Sequence, residues 1–445
     1  MERHSYHSPL YGSRKILKFL HFFFGFPLCV KDEGYTEFIF RPYFECAKLL
    51  FMILTISLIL SPTIMVMLKI RGDETEIEEV RNFLNHFGLS SFDIYLHVSF
   101  IPINTVSMLC HFFSFRHVCT NISDLCHTMD KAKHDLKQID TTRTETESMK
   151  FRCGQNKALT NMTRIYICNV VTSGCQIYAA YIVLFSECKF GDWLSTKEKI
   201  LLIISYVVYL ARFGYPLISA TSEYIITTVF DDTTNTFEDW IKIVDKTTKY
   251  EDINATSDYC LKKMDDEQFS SIDKDVNNGK ETIAGVVNTG VSLTSVINKT
   301  NKAFGGMIFN TYCTCLILST ISLYGASSVF LPNMAMSKQL IWPFTVAQLM
   351  LALMSFLRVY YITNAAQKMI KVIKKARMSL EYFIECVDTN RLMKLGPLRH
   401  QLKIVSDSPI TPMSTFSLCN STLLSTSATV MTYLIILIQF KLTEK

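Results

Sequence analysis

Apolar positions along this chain gather into long runs, unlike the short alternating or 3.6-periodic patterns of soluble elements. Seven runs are read, at about 44–70, 91–115, 161–186, 200–228, 307–331, 340–363 and 414–440. Each holds about 20 residues or more, enough at about 1.5 Å per residue to cross a hydrocarbon core about 30 Å thick. The first is the cleanest. LLFMILTISLILSPTIMVML has no charge, and its Pro62 is tolerable where neighbouring helices satisfy the freed carbonyl. The second carries Asp93, His97, Asn104 and His111 and is expected to face protein or water. The fourth holds Arg212, which in lipid must be paired or line a cavity. The pattern predicts an all-α polytopic membrane protein with seven transmembrane helices.

Composition agrees with that reading against the two or three soluble domains that 445 residues would otherwise allow. The chain is 49% hydrophobic and only 19% charged. Ahead of the first span, KILKFLHFFFGFPLCV (15–30) has a basic flank and an apolar centre but no small-x-small cleavage site. An interfacial amphipathic helix is expected there in preference to a cleaved signal.

Lysine and arginine fix the orientation. They crowd the N-terminal segment (Arg3, Arg14, Lys15, Lys18, Lys31, Arg41), the loop after span two and the stretch KMIKVIKKAR after span six. The loop after span one, RGDETEIEEV, is acidic, and the loop after span five has one lysine. The N-terminus is therefore expected inside and the C-terminus outside, the reverse of a G-protein-coupled receptor. No Asp/Glu-Arg-Tyr follows span three and no Asn-Pro-x-x-Tyr lies in span seven. Of 14 cysteines only Cys188 falls in an external loop, so no external disulfide is expected. Cys313 and Cys315 form a C-x-C read as packing and not as a metal site.

The inner loop between spans four and five is long, from Asp231 to about Gly305. Its start, FEDWIKIVDKTTKY, has helical spacing, and its middle, DKDVNNGKET, is expected to be disordered. After span six, NAAQKMIKVIKKARMSLEYFIECV continues as an amphipathic helix. Two readings stand on pattern alone: an internal assembly domain, or a solvated basic helix at the anionic membrane surface. The divisions are 1–43 cytosolic, 44–230 spans one to four, 231–306 an inner loop with anchor helices, 307–363 spans five and six, 364–413 inner anchor helices, and 414–445 span seven with a short external tail.

Enzyme chemistry finds no support in the motifs. There is no G-x-x-x-x-G-K-[ST], G-x-S-x-G, H-E-x-x-H or G-x-G-x-x-G, and no cofactor is expected. Span carboxylates are sparse, Asp93, Glu187 and Glu223 among them. Seven spans without internal similarity also argue against an inverted-repeat transporter. Span seven, STFSLCNSTLLSTSATVMTYLIILIQF, carries Asn420, Ser421, Thr422, Ser425, Thr426, Ser427, Thr429 and Thr432. Such small hydroxyl residues suit a wet pore face and a helix packing face alike. Thr429, Thr432, Ile436, Gln439 and Phe440 lie on or near one face.

TYLIILIQF (432–440) resembles the Thr-Tyr, five apolar residues, Gln-Phe signature near the C-terminus of insect gustatory receptors. Its ending, and FLRVYYITNAAQK (356–368), are most similar to the fructose-receptor branch. The resemblance implies a tastant-gated, non-selective cation channel in the plasma membrane of a sensory dendrite. It implies a homotetramer, or a heteromer with related receptors, around span seven, with inner helices as the anchor and membrane lipid around it. By this carry-over Phe440 is the gate and Gln439 its polar neighbour, with Thr432, Tyr433 and Ile436 on the same helix. The tastant pocket is expected among the outer halves of spans two to six. Asp93, Tyr95, His97, Gln176, Tyr178, Tyr181, Tyr206, Tyr209, Arg212, Tyr324, Ser328, Trp342, Thr345 and Gln348 offer hydroxyls, amides and aromatic rings there. Such a mixture suits a polyol. Gln348 resembles a pocket amide of the sugar-responding relatives, but Leu351 stands where they carry an aromatic ring, so a bitter plant compound competes with a sugar. A non-conducting seven-helix receptor or carrier is the alternative.

Overall fold

The computed structural model describes residues 28–30, 36–38, 91–139, 214–261, 269–331, 338–386, 389–407 and 410–443, with isolated helical positions from 160 to 171. Spans one and three, and the outer part of span four, fall wholly or largely outside these residues. Strands β1 (Leu28–Val30) and β2 (Thr36–Phe38) pair antiparallel, Cys29 opposite Glu37. This short pairing leaves the chain nearly all helical and replaces helix only at 28–30, the far end of the segment expected as an interfacial helix.

Four long helices follow: α1 (Ser91–Ile139), α2 (Gly214–Leu261), α3 (Phe269–Ser328) and α4 (Lys338–Cys386). Then come α5 (Thr389–Asp407), a 3-10 turn at Pro412–Ser414, and α6 (Asn420–Thr443). A 60-residue helix such as α3 is about 90 Å long, roughly three times the hydrocarbon thickness. About two thirds of it must therefore stand outside the membrane. Ile283–Ser328, Ile341–Cys386 and Asn420–Thr443 are the described helices long and apolar enough to cross.

The projecting ends pack on one another. The core draws Val118, Ile122, Leu125, Met129 and Leu136 from α1 and Val229, Phe230, Phe237, Trp240 and Val244 from α2. Val286, Leu293, Val296, Phe304 and Met307 of α3 meet them, with Met369, Ile373, Ala376, Leu380 and Phe383 of α4 and Leu395, Leu398 and Leu402 of α5. Trp240 is wholly buried and its indole N–H donates to Val286 O at 3.0 Å, satisfying the one polar atom such a ring brings inside. Gly290 lets Trp240 and Leu398 close in, since a Cβ there would lie 2.8 Å from Leu398 Cδ2 and 3.1 Å from Trp240 Cζ2. The helix after span six is thus half core and half solvated, which joins the two readings that its pattern allows.

Two further expectations change. DKDVNNGKET lies inside α3 and is helical, not disordered. It adjoins a stretch held by the core, and extending an existing helix by a few turns avoids the costly nucleus. Span seven starts at Asn420, not at 414. Met413 and Ser414 have φ of 49° and 58°, and Thr415 Oγ donates to Pro412 O at 2.7 Å, a local bond that competes with helix.

Charge inside the anchor is paired where it is buried. Lys133 Nζ meets Asp232 Oδ2 at 2.6 Å between α1 and α2, and Lys299 Nζ meets Asp124 Oδ1 at 2.7 Å between α3 and α1. Asp130 is the exception. Its Oδ1 is buried with no hydrogen-bond partner, and burial pushes its carboxyl up to about 6, Lys133 lowering it, Asp232 raising it and His127 lowering it. A carboxyl with a raised folded-state pKa costs stability when ionised. The cost is absent below about pH 4, develops as pH rises through about 4 to 6, and is complete above that. Asp130→Asn is therefore expected to stabilise the protein by about 1–2 kcal/mol at pH 7 to 8 and little at pH 4. Thermal unfolding of wild type and variant across that pH range checks this, and a gain independent of pH overturns the assignment.

Candidate functional site

The outer ends of α3 and α4 run antiparallel and bring part of the expected pocket together. A Cβ at Gly325 would lie 3.4 Å from Gln348 Cδ and 3.6 Å from its Oε1, so the amide rests against the α3 backbone. The register sets Thr345 at the level of Ser328, and Leu351 at the level of Ser322, one turn on either side. Tyr324 is wholly buried, and Ser328 Oγ donates to Gly325 O at 3.0 Å. Thr345 Oγ and Ser322 Oγ are both buried and have no hydrogen-bond partner. An orphaned hydroxyl in an apolar site costs about 1–3 kcal/mol, which a ligand supplying the bond recovers. Ser322 is a candidate the sequence reading misses, because a serine in an apolar run carries no signal of its own.

The other candidates divide plainly. Leu351 is half-buried, and Trp342 is 70% exposed. Asp93, Tyr95 and His97 lie in the first turns of α1, their side chains outside the described residues. Gln176, Tyr178, Tyr181, Tyr206, Tyr209 and Arg212 lie outside the described residues altogether. Trp342, Val346, Leu349, Leu353 and Tyr360 form an exposed apolar stripe down α4, the face for lipid.

Nearer the inner ends of these helices, three of them meet over charge. The Arg358 guanidinium on α4 pairs with the Glu223 carboxylate on α2, both buried, with Cys315 of α3 close to both. The Tyr312 and Thr363 hydroxyls bond across α3 and α4, and the Tyr312 ring lies 5.0 Å from that of Phe416, centroid to centroid. Phe416 belongs to the elbow between α5 and α6. That elbow is held at each end: Thr411 N–H donates to Asn301 Oδ1 at 3.1 Å, and Asn420 N–H donates to Gln367 Oε1 at 3.3 Å. Arg358 and its partner were within reach of the sequence. A lone arginine in SFLRVYY needs an acid at similar depth, and Glu223 is one of few.

Helix α6 is the least covered part of the fold. Only Val430 and Leu434 are buried on it, while Leu424, Met431, Tyr433, Ile435, Ile436, Phe440 and Leu442 are all exposed. The face opposite Val430 carries Ser421, Ser425, Ala428, Thr432, Ile435 and Gln439 at i, i+4, i+7, i+11, i+14 and i+18, all exposed. Thr429 Oγ donates to Ser425 O at 2.9 Å and Thr432 Oγ to Ala428 O at 3.0 Å, so these hydroxyls are satisfied with or without water. Cys313 and Cys315 are one exposed and one buried, as packing residues on different faces of α3. Among the described residues no cluster of three or more His, Cys, Asp or Glu gathers as metal ligands.

Residues 271–444, from α3 to the end of α6, match the model of the 7tm chemosensory receptor family. That stretch, under half of the chain, is similar to the chemosensory receptors. The chain is similar in fold to the olfactory receptor OR5 of the insect Machilis hrabei, with a TM-score of 0.59, 11% identity, and 90% of this chain and 89% of that one covered. The same olfactory receptor in complex with eugenol gives a TM-score of 0.50 at 10% identity, with 89% of each chain covered. No curated protein matches this chain.

Proposed function

We propose that this receptor is one subunit of a tastant-gated, non-selective cation channel in the plasma membrane, with α6 lining the pore of a homotetramer. The observation that carries this reading is the uncovered α6. An apolar helix of 24 residues with two buried side chains is unfinished as a monomer. Its outward stripe of serines, threonine and glutamine is a poor lipid face and a good water-lined one. Four copies around an axis cover the flanking apolar positions and leave that stripe to ions. A second reading keeps one specific support. Because Thr429 and Thr432 bond to their own backbone, α6 can rest in lipid, as a receptor that conducts nothing would require.

The seam of Ser322, Tyr324, Ser328, Thr345 and Gln348 is the proposed ligand site. The half-buried Leu351 offers no ring for a sugar to stack on. Two orphaned hydroxyls and an amide in an apolar wall suit a small plant compound with one or two hydroxyls, a phenol of the eugenol kind or a deoxygenated sugar, better than a polyol. The receptor expressed alone, challenged with sugars, polyols and plant phenolics, is expected to give ligand-evoked cation current. No current under any ligand, with surface expression shown, overturns the channel reading in favour of the non-conducting one. Gln348→Leu is expected to raise the half-maximal agonist concentration about tenfold, the loss of about one hydrogen bond, without changing maximal current. An unchanged concentration response removes Gln348 from the site.

A further inference from the structure

We infer that the α4 face just inside the membrane binds an inositol phospholipid bearing phosphates on its ring. Between residues 368 and 375 the chain carries Lys368, Lys371, Lys374 and Lys375 and no carboxylate. All four are exposed, and no ion pair joins any of them among the described residues. They alternate with Met369, Ile373 and Ala376, each wholly buried in the anchor core. Lys368, Lys371 and Lys375 recur at i, i+3 and i+7, so they stand above one another on one side of a helix whose other side is immobilised. Arg377, two positions on, is different. It is taken up by Glu381 and Asp407 at 3.1 and 3.3 Å.

Depth selects the ligand. Trp342 and Phe330, 70% and 71% exposed beside the outer turn between α3 and α4, mark the outer interface as an aromatic belt does. Counting about 30 Å down α4 at about 1.5 Å per residue puts the inner hydrocarbon edge near residue 362. Lys368 then lies about 9 Å below that edge, Lys371 about 13 Å and Lys375 about 20 Å. An extended lysine reaches back by several ångströms, so Lys368 and Lys371 meet the phosphate layer of ordinary phospholipids. Lys374 and Lys375 do not. Only a headgroup that projects farther into water and carries charge at its far end spans the whole stripe, and a ring-phosphorylated inositol does both. The count rests on α4 crossing the membrane outside to inside, not on the receptor conducting ions.

The test uses the purified full-length receptor in detergent, with native mass spectrometry reading bound lipid. Short-chain phosphatidylinositol 4,5-bisphosphate is expected to bind with 1:1 occupancy per subunit, and phosphatidylserine of the same chain length at least tenfold more weakly. The K368Q/K371Q/K375Q variant is expected to lose about a hundredfold in affinity, at about fivefold for each lysine near the membrane surface. A control removes the same charge elsewhere, K131Q/K249Q/K403Q at exposed positions, and is expected to bind as wild type does. Equal losses in the two variants, equal binding of the two lipids, or soluble inositol trisphosphate binding as tightly as the lipid each overturn the proposal. Binding is read without current, so a silent channel leaves the result standing, and a lipid-free stripe leaves the channel reading standing.

Discussion

Arg358→Ala is expected to destabilise this protein by about 3–5 kcal/mol, because it removes the ion pair of a buried Glu223 carboxylate. Both groups are nearly inaccessible, at 8% and 3% exposure, and they bridge α2 and α4 at the point where membrane span gives way to anchor. Removing one charge leaves the other with its desolvation penalty and without the ion pair that offsets it. The expected result is a steep fall in the thermal midpoint in detergent and in the amount reaching the cell surface. The double variant Glu223→Leu with Arg358→Leu is expected to recover most of the loss, since two apolar groups of similar size leave nothing unpaired. Failure of the double variant to recover the loss, where the single variant is destabilised, would show that the pair does more than satisfy itself. Continued normal folding of the single variant would mean that the pair is solvated.

Phe440→Ala is the second large effect, and it reads function. Phe440 is 59% exposed in the subunit, on the last turns of α6, one position from the outward-facing Gln439. A large apolar ring at a narrow outer end excludes water, and a dewetted constriction blocks ions without closing sterically. In the channel reading, alanine at 440 opens that ring and raises basal cation current several-fold in the absence of ligand. Single-subunit stability is expected to change little, because a side chain that exposed contributes little to the subunit's own core. Basal current equal to wild type at matched surface density counts against Phe440 as the gate and leaves the pore to another residue on the stripe.

How far the chain could be read before folding depends on the kind of signal. Long apolar runs report themselves, since about 20 uncharged residues have few alternatives to crossing a bilayer, and the helices α3, α4 and α6 follow them. The inward projections were harder. FEDWIKIVDKTTKY is helical by spacing, but nothing in it says that Trp240 meets Val286 and Leu398, contacts made across 46 and 158 positions. DKDVNNGKET looks unstructured by composition and is helical because a packed stretch follows it directly. At the elbow, the hydroxyls of Thr415 and Ser417 read as more of span seven, yet they belong to a bend that sets where α6 begins. The ligand seam shows the sharpest limit. Gln348 stands out as an amide in an apolar run, whereas Ser322 matters only because its neighbours leave its hydroxyl unanswered, and no local pattern records that.

The core that ties the long helices together reaches from Val118 to Leu418. Those two positions leave the ribosome far apart in time. At about 5–20 residues per second, some 15–60 seconds separate them. Throughout that interval the projecting ends of α1 and α2 wait with Ile122, Phe230 and Trp240 uncovered, the kind of surface that chaperones hold. A chain cut short before α5 lacks α6 as well and never closes this bundle. Closure of that surface by α5 and the elbow is thus a late checkpoint: whether the surface has disappeared reports whether these late segments have packed.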